Sequence, residues 1–255
     1  MRALKTYRRN PDYGSGAFRR RIRLIHRAGA VLGMLDDNNH AIWVRLRHAE
    51  GAITAISGGF HRWPTTGCVD AEIPLQSLVG MSAATPLSEL YHGLPLLNCT
   101  HMFDLAVMTM RHAGRPEGRR VWDAVVPDAP QDALVASVEL DGALVHRWKL
   151  SGDIIMEPAA LAGQSVVRRF LPWAQAHFTG DALEGALMLR MAVFVSLARR
   201  YVTDDRDRPL ADFPERHGVC HAYSSPRFER SIQRAGAVVD QSNGVVEQPE
   251  PRFSW

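Results

Sequence analysis

From Arg19 onward the chain alternates. Ile22 and Leu24 interleave with Arg21 and Arg23, and Ile42, Val44 and Leu46 interleave with Trp43, Arg45 and Arg47. A period of two marks half-buried β-strands, and the intervening run Asp36-Asp37-Asn38-Asn39 has turn chemistry, so an antiparallel pair is predicted. A further strand fits Ile53 to Ser57 after the Glu50-Gly51 turn. Gly58-Gly59 is expected to end or bulge it just before Phe60-His61-Arg62-Trp63. Between Pro74 and Gly114 the spacing turns helical, with short segments at Leu75–Val79 and Pro86–Tyr91. A longer helix then starts near Asn98, below Pro95, and stops at Gly114.

A second strand group follows at Val121–Val126, Leu134–Leu140 and Ala143–Leu150, the last two joined by an Asp141-Gly142 hairpin turn. Two helices close the pattern. One runs over Ser165–Phe178 with Pro172 kinking or restarting it. The other opens on a capping-box-like Asp181 and Glu184 and carries Arg199 and Arg200 at its negative end. Meander then helices occurs twice, as two pseudo-repeated halves around one core would give, although no residue-level repeat supports a duplication. The expected class is α+β, antiparallel β-meanders packed against helices. The expected organisation is an N-terminal arm over 1–18, one domain over 19–242 and a C-terminal arm over 243–255 that ends in Phe253 and Trp255.

Composition narrows the class. In 255 residues, 46% are hydrophobic and 22% charged, which is ordinary for a globular chain, and 30 cationic residues against 27 carboxylates leave a formal charge of only +3. The excess sits in Arg8, Arg9, Arg19, Arg20, Arg21 and Arg23, a cluster able to meet a phosphate or an acidic partner, although a solvated strand edge and arm explains it with no partner. No aromatics interleave with it, so no nucleic-acid partner is expected. The apolar stretch Leu183–Ala198 carries Glu184 and Arg190 and falls short of the roughly 20 residues a bilayer needs, so no membrane span is expected. That helix is apolar on nearly every side, which suits a central position or a homo-oligomer interface. The opening residues Met1-Arg2-Ala3-Leu4-Lys5 lack an apolar run, and Cys68, Cys99 and Cys220 are odd in number and unpaired in spacing. The expected location is the cytoplasm.

Three constellations can carry chemistry. In Asn98-Cys99-Thr100-His101-Met102-Phe103-Asp104, His101 and Asp104 share a helix face, where a carboxylate can orient an imidazole as a general base. A helix cap with a structural histidine is the plain alternative. In His217-Gly218-Val219-Cys220-His221-Ala222-Tyr223-Ser224, His221 can act as acid or base, and Tyr223 can donate a proton or hold a phenol. Both can equally be packing residues. Phe60-His61-Arg62-Trp63-Pro64 can wall a pocket for a hydroxylated aromatic, or pack as an edge. The cysteines and histidines are potential metal ligands, yet no Cys-x-x-Cys or His-Glu-x-x-His spacing occurs. Nucleophile-elbow, dinucleotide and phosphate-loop motifs are also missing, so a site without a cofactor is favoured.

The stretch from Leu78-Val79-Gly80 through Cys99-Thr100-His101-Met102 and Asp104, lying after an Arg-rich strand pair, resembles the bacterial domain-of-unknown-function family 2889. Members carry a similar Cys-Thr-His followed by an acidic residue, with Asn98 here where many have Gly, and the resemblance spans about residues 20–205. It implies a connection with the breakdown of lignin-derived aromatic dimers, including lyases that release formaldehyde from a hydroxymethyl side chain. Under it, His101 oriented by Asp104 is the base, and Tyr223 or His221 protonates the leaving oxygen or binds the phenol. His61, Arg62, Trp63, Cys99 and Thr100 contact the substrate. The rival classes are a metal-dependent hydrolase of a small molecule and a non-enzymatic binding or assembly module.

Overall fold

The computed structural model describes residues 7–92, 98–129 and 133–252. Its strands are β1 (Arg8–Arg9), β2 (Ala17–Arg27), β3 (Ala30–Asp37), β4 (Ala41–Ala49), β5 (Ala52–Arg62), β6 (Gly118–Pro127), β7 (Ala133–Leu140), β8 (Ala143–Ser151), β9 (Ile154–Glu157), β10 (Tyr201–Val202), β11 (Arg208–Pro209) and β12 (Ile232–Gln233). The helices are α1 (Leu87–Leu90), α2 (Thr100–Arg111), α3 (Phe170–His177), α4 (Gly180–Ser196) and α5 (Arg227–Arg230), with short 3-10 turns between. The class is α+β, with antiparallel strands packed against helices. The chain divides into two compact units, each discontinuous in sequence. One comprises 1–21, 121–203 and 240–246, the other 22–120, 204–239 and 247–255.

In the first unit the strand order is β6-β7-β8-β9. Asp141 and Gly142 both take positive φ, 51° and 82°, as a two-residue hairpin turn demands, and β7 pairs with β8 on either side of them. Trp122 and Trp148 are fully buried, and α4 packs on β7 and β8 through Leu183, Ala186 and Leu189. The helix expected over Ser165–Phe178 begins only at Phe170, which places Pro172 in its first turn, where no intrahelical N–H is needed. The arm expected at the N-terminus carries β1, paired with β10, and Asn10 Nδ2 donates to Arg199 O at 2.9 Å. Asp128 gathers this end of the unit. It accepts from Arg199 at 2.8 and 3.0 Å and from the N–H groups of Gly14 and Gly16.

In the second unit the order is β5-β4-β3-β2. Two strands, β2 and β3, lie where the alternation suggests one, because every residue of β3 is buried and period two vanishes there. β5 runs through Gly58 and Gly59 to Arg62, with register shifts between Ala41 and Ile42 and between Arg47 and His48 of β4. It continues because Gly59 is opposite Trp43, whose indole lies 2.8 Å from where a Cβ would stand. α2 crosses β3 and β4, burying Met102, Leu105, Ala106 and Thr109. Of the expected C-terminal arm, Phe253 and Trp255 lie outside the described residues, as do Pro95 and Met1 to Lys5. Gln248 is tied to this unit, donating its N–H to Asp36 and accepting from Arg23.

Candidate functional site

All three chemistry-bearing segments fall in the second unit. The segment 98–104 opens α2, with Cys99 as the residue before the helix and its carbonyl accepting from Phe103 N at 2.8 Å. The loop 217–224 reaches it directly, since the N–H of His221 donates to Asn98 O at 3.0 Å. The 60–63 segment meets the same loop through an apolar cluster of Cys68, Leu210, Ala222, Tyr223 and Phe228, with Phe60, Trp63 and Cys220 packed against it.

His101 stands on the first turn of α2, with its Nε2 shielded from solvent. Its ring lies on that of His40, centroids 4.1 Å apart at 29°. His40 closes the β3–β4 hairpin, and its Nδ1 is 3.3 Å from Asp37 Oδ1. Asp37, completely buried, uses the same oxygen to accept the N–H groups of Asn39 and His40, each at 2.8 Å. Asp104, also on α2, accepts from the Tyr91 hydroxyl at 2.7 Å, and the Tyr91 ring meets Phe103 edge-on. The His101 imidazole thus stacks on a second imidazole, which a buried carboxylate contacts in turn.

Arg62 serves this hairpin. Its guanidinium donates to Asp37 O at 2.5 Å, Asn38 O at 2.7 Å, His40 O at 3.2 Å and Ala237 O at 3.5 Å. Four carbonyls occupy it. Burial lowers its pKa, and Asp37 and Asp36 pull the other way. His61 points to the exposed side of the strand end, and Trp63 is half-buried beneath Arg234, whose guanidinium lies 5.0 Å from the ring centroid. Thr100 is half-exposed as the first residue of α2.

His221 and Tyr223 are buried. His221 Nε2 lies 3.4 Å from Val69 O, and the Tyr223 ring is capped by Arg216 at 4.5 Å. Burial raises the thiol of Cys99 far above its ordinary value, raises Cys220, and pushes Cys68 up to about 11. The neighbouring thiols contribute to the shifts of Cys68 and Cys99, so the three cysteines share one environment. Protonated thiols are poor metal ligands and poor nucleophiles. Among the described residues, no three His, Cys, Asp or Glu side chains are grouped to hold a metal ion, nor is any helix long and apolar enough to cross a membrane.

A cleft of about 310 Å³ opens between the 3-10 turn Thr66–Cys68 and α5, and none of the side chains selected from sequence lines it. His221 stands behind its Val69 wall. Asp37, His40 and Tyr91 were not selected from sequence. Asp37 sits in a run that turn chemistry alone accounts for, His40 directly follows that run, and Tyr91 closes a short helix that carries no motif. No family model matches the chain, and no curated protein matches it.

Proposed function

We propose that this chain is a lyase acting by general acid–base catalysis without a cofactor, with His101 as the base. The observation that carries the reading is the His101 ring held 4.1 Å from His40, which contacts buried Asp37. A base whose ring is packed before the substrate arrives has less orientational freedom to lose, which the contact with His40 favours. Asp104 belongs to the same face through Tyr91.

The substrate class rests on the resemblance to family 2889. It is a lignin-derived aromatic dimer bearing a primary alcohol, such as a phenylcoumaran. His101 takes the alcohol proton, and the carbon–carbon bond breaks to release formaldehyde. The freed electron pair forms the stilbene double bond as the ether oxygen departs, and that oxygen receives a proton from the 217–224 loop, through His221 or Tyr223. Arg62 and Asp37 are positioning residues in this scheme. We further propose a cytoplasmic location and a homo-oligomer, the latter supported by Phe194 on α4, which is 55% exposed.

The test is incubation of the purified chain with a phenylcoumaran dimer, reading formaldehyde chemically and stilbene by its absorbance. Wild type is expected to form both in equal amounts, and His101→Ala to lose about 100-fold or more of the rate with its circular dichroism unchanged. Neither product from wild type would overturn the lyase, and full activity in His101→Ala would remove the base. Zinc near one equivalent per chain, by elemental analysis, would move the assignment to a hydrolase.

A further inference from the structure

We infer that the cleft between the Thr66–Cys68 turn and α5 binds a small hydroxylated carboxylate with an apolar body, a site separate from the acid–base reading of His101. Its volume of about 310 Å³ lies at the lower end of the range for small-molecule sites, with room for an organic body as well as an anionic group. Arg227 and Arg230 both line it, three residues apart and so on one side of α5. Among the described residues neither guanidinium takes part in a hydrogen bond or ion pair. Glu229, the one carboxylate on α5, instead accepts from Ser225 Oγ at 2.6 Å. Paired guanidiniums with open N–H groups match the two oxygens of a carboxylate.

Two hydroxyls complete the anion end. Thr66 Oγ1 accepts the N–H of Ile232 at 3.0 Å, which leaves its own hydrogen to donate. Ser231 is buried, yet its Oγ stands at the cleft wall, 2.7 Å from where a Cβ on Gly67 would lie. The body of the ligand meets Val69, which is 53% exposed, and Pro226. Asp70 also lines the cleft and offers only acceptors, so it takes a hydroxyl and repels a second anion. Two guanidiniums against one carboxylate leave a net positive charge of one in the lining, which balances a monoanion better than a dianionic phosphate.

Titration calorimetry on the full chain tests this with three probes: 4-hydroxybenzoate, benzoate and inorganic phosphate. We expect saturable binding of 4-hydroxybenzoate at one site per chain, benzoate several-fold weaker, and phosphate weakest. Arg227→Gln/Arg230→Gln should weaken 4-hydroxybenzoate at least tenfold. Asp70→Asn should reduce the advantage of 4-hydroxybenzoate over benzoate. His101→Ala should bind as wild type does, which separates failure of this site from failure of the proposed lyase. Should the Gln pair fail to fold by circular dichroism, Arg227→Lys/Arg230→Lys, which keeps the charge but loses the planar fork, is expected to bind several-fold more weakly. The site is overturned by no binding of 4-hydroxybenzoate at millimolar concentration, by phosphate binding as tightly, or by wild-type affinity in the folded arginine variants.

Discussion

Replacing Asp37 by Ala tests whether the hairpin that carries His40 is held by a carboxylate. The side chain is completely buried, and its Oδ1 accepts two backbone N–H groups at 2.8 Å and faces His40 Nδ1 at 3.3 Å. Hydrogen bonds to a charged group contribute about 1.5–3 kcal/mol each, so losing the two short ones gives roughly 3–6 kcal/mol. Asn39 is half-exposed and its N–H can recruit water, which pulls the expectation to the lower part, about 3–4 kcal/mol. Asp37→Asn keeps a carbonyl oxygen in place but loses the charge assistance, and about half that loss is expected. Urea unfolding followed by circular dichroism measures both. Parallel slopes confirm that the denatured states are comparable. A loss under about 1 kcal/mol for Asp37→Ala, or equal losses for Ala and Asn, would refute the carboxylate as the anchor. Under the proposed lyase reading, with His40 stacked on His101, the Asn variant should also lower turnover in the formaldehyde assay.

Three further outcomes are expected. His26 and His112 are buried with Nε2 and Nδ1 3.0 Å apart, and burial, then His112, then Arg115 and Arg120 lower the His26 pKa against the Gly118 carbonyl. The unfolded state therefore binds a proton first. Stability should be full above pH 6.5 and fall as pH drops below it, by at most about 1.4 kcal/mol per pH unit from this group, with His26→Gln flattening the slope in thermal unfolding. Arg199→Met leaves Asp128, 2% exposed, without its guanidinium and should cost on the order of 3 kcal/mol. Burial raises Asp128, but Arg199 and the N–H groups of Gly14 and Gly16 hold it below 3.8, so its contribution is present above that pH and lost in acid. The variant should move the acid unfolding midpoint upward. Gly59→Ala should cost about 1–3 kcal/mol, read as a lower urea midpoint, because the Trp43 indole has to move.

Much of the fold is legible where local chemistry decides it. Asp141-Gly142 and Glu50-Gly51 both adopt the positive φ their hairpins need, and α2 ends just before Gly114 as its spacing requires. The β2–β3 hairpin is not legible, because β3 is buried on both faces and shows no alternation. β9, four residues after Gly152, is too short to leave a pattern. The site divides in the same way. His101 and Asp104 stand on one helix, as their spacing implies, but the ring stacked on His101 comes from His40 and the hydroxyl donated to Asp104 from Tyr91, which only tertiary packing brings to α2. The meeting of 98–104 with 217–224, marked by a backbone hydrogen bond from His221 to Asn98, joins residues more than a hundred positions apart, and periodicity carries no record of that.

Within the Cys-Thr-His segment, the thiol and the imidazole stand in different surroundings. Cys99 precedes α2 with its thiol buried and strongly disfavoured as a thiolate, and Cys68 and Cys220 lie in the same environment, each shifted the same way. No cation offsets that burial to the extent an activated thiol needs, and Cys68 in addition shares a contact with Thr65 Oγ1 at 3.2 Å. Thr100 starts the helix. His101, by contrast, stacks its ring on the polar side chain of His40. A lyase that needs a positioned base and no thiolate fits such a segment. A thiol nucleophile does not, since its negative charge would form where burial opposes it most.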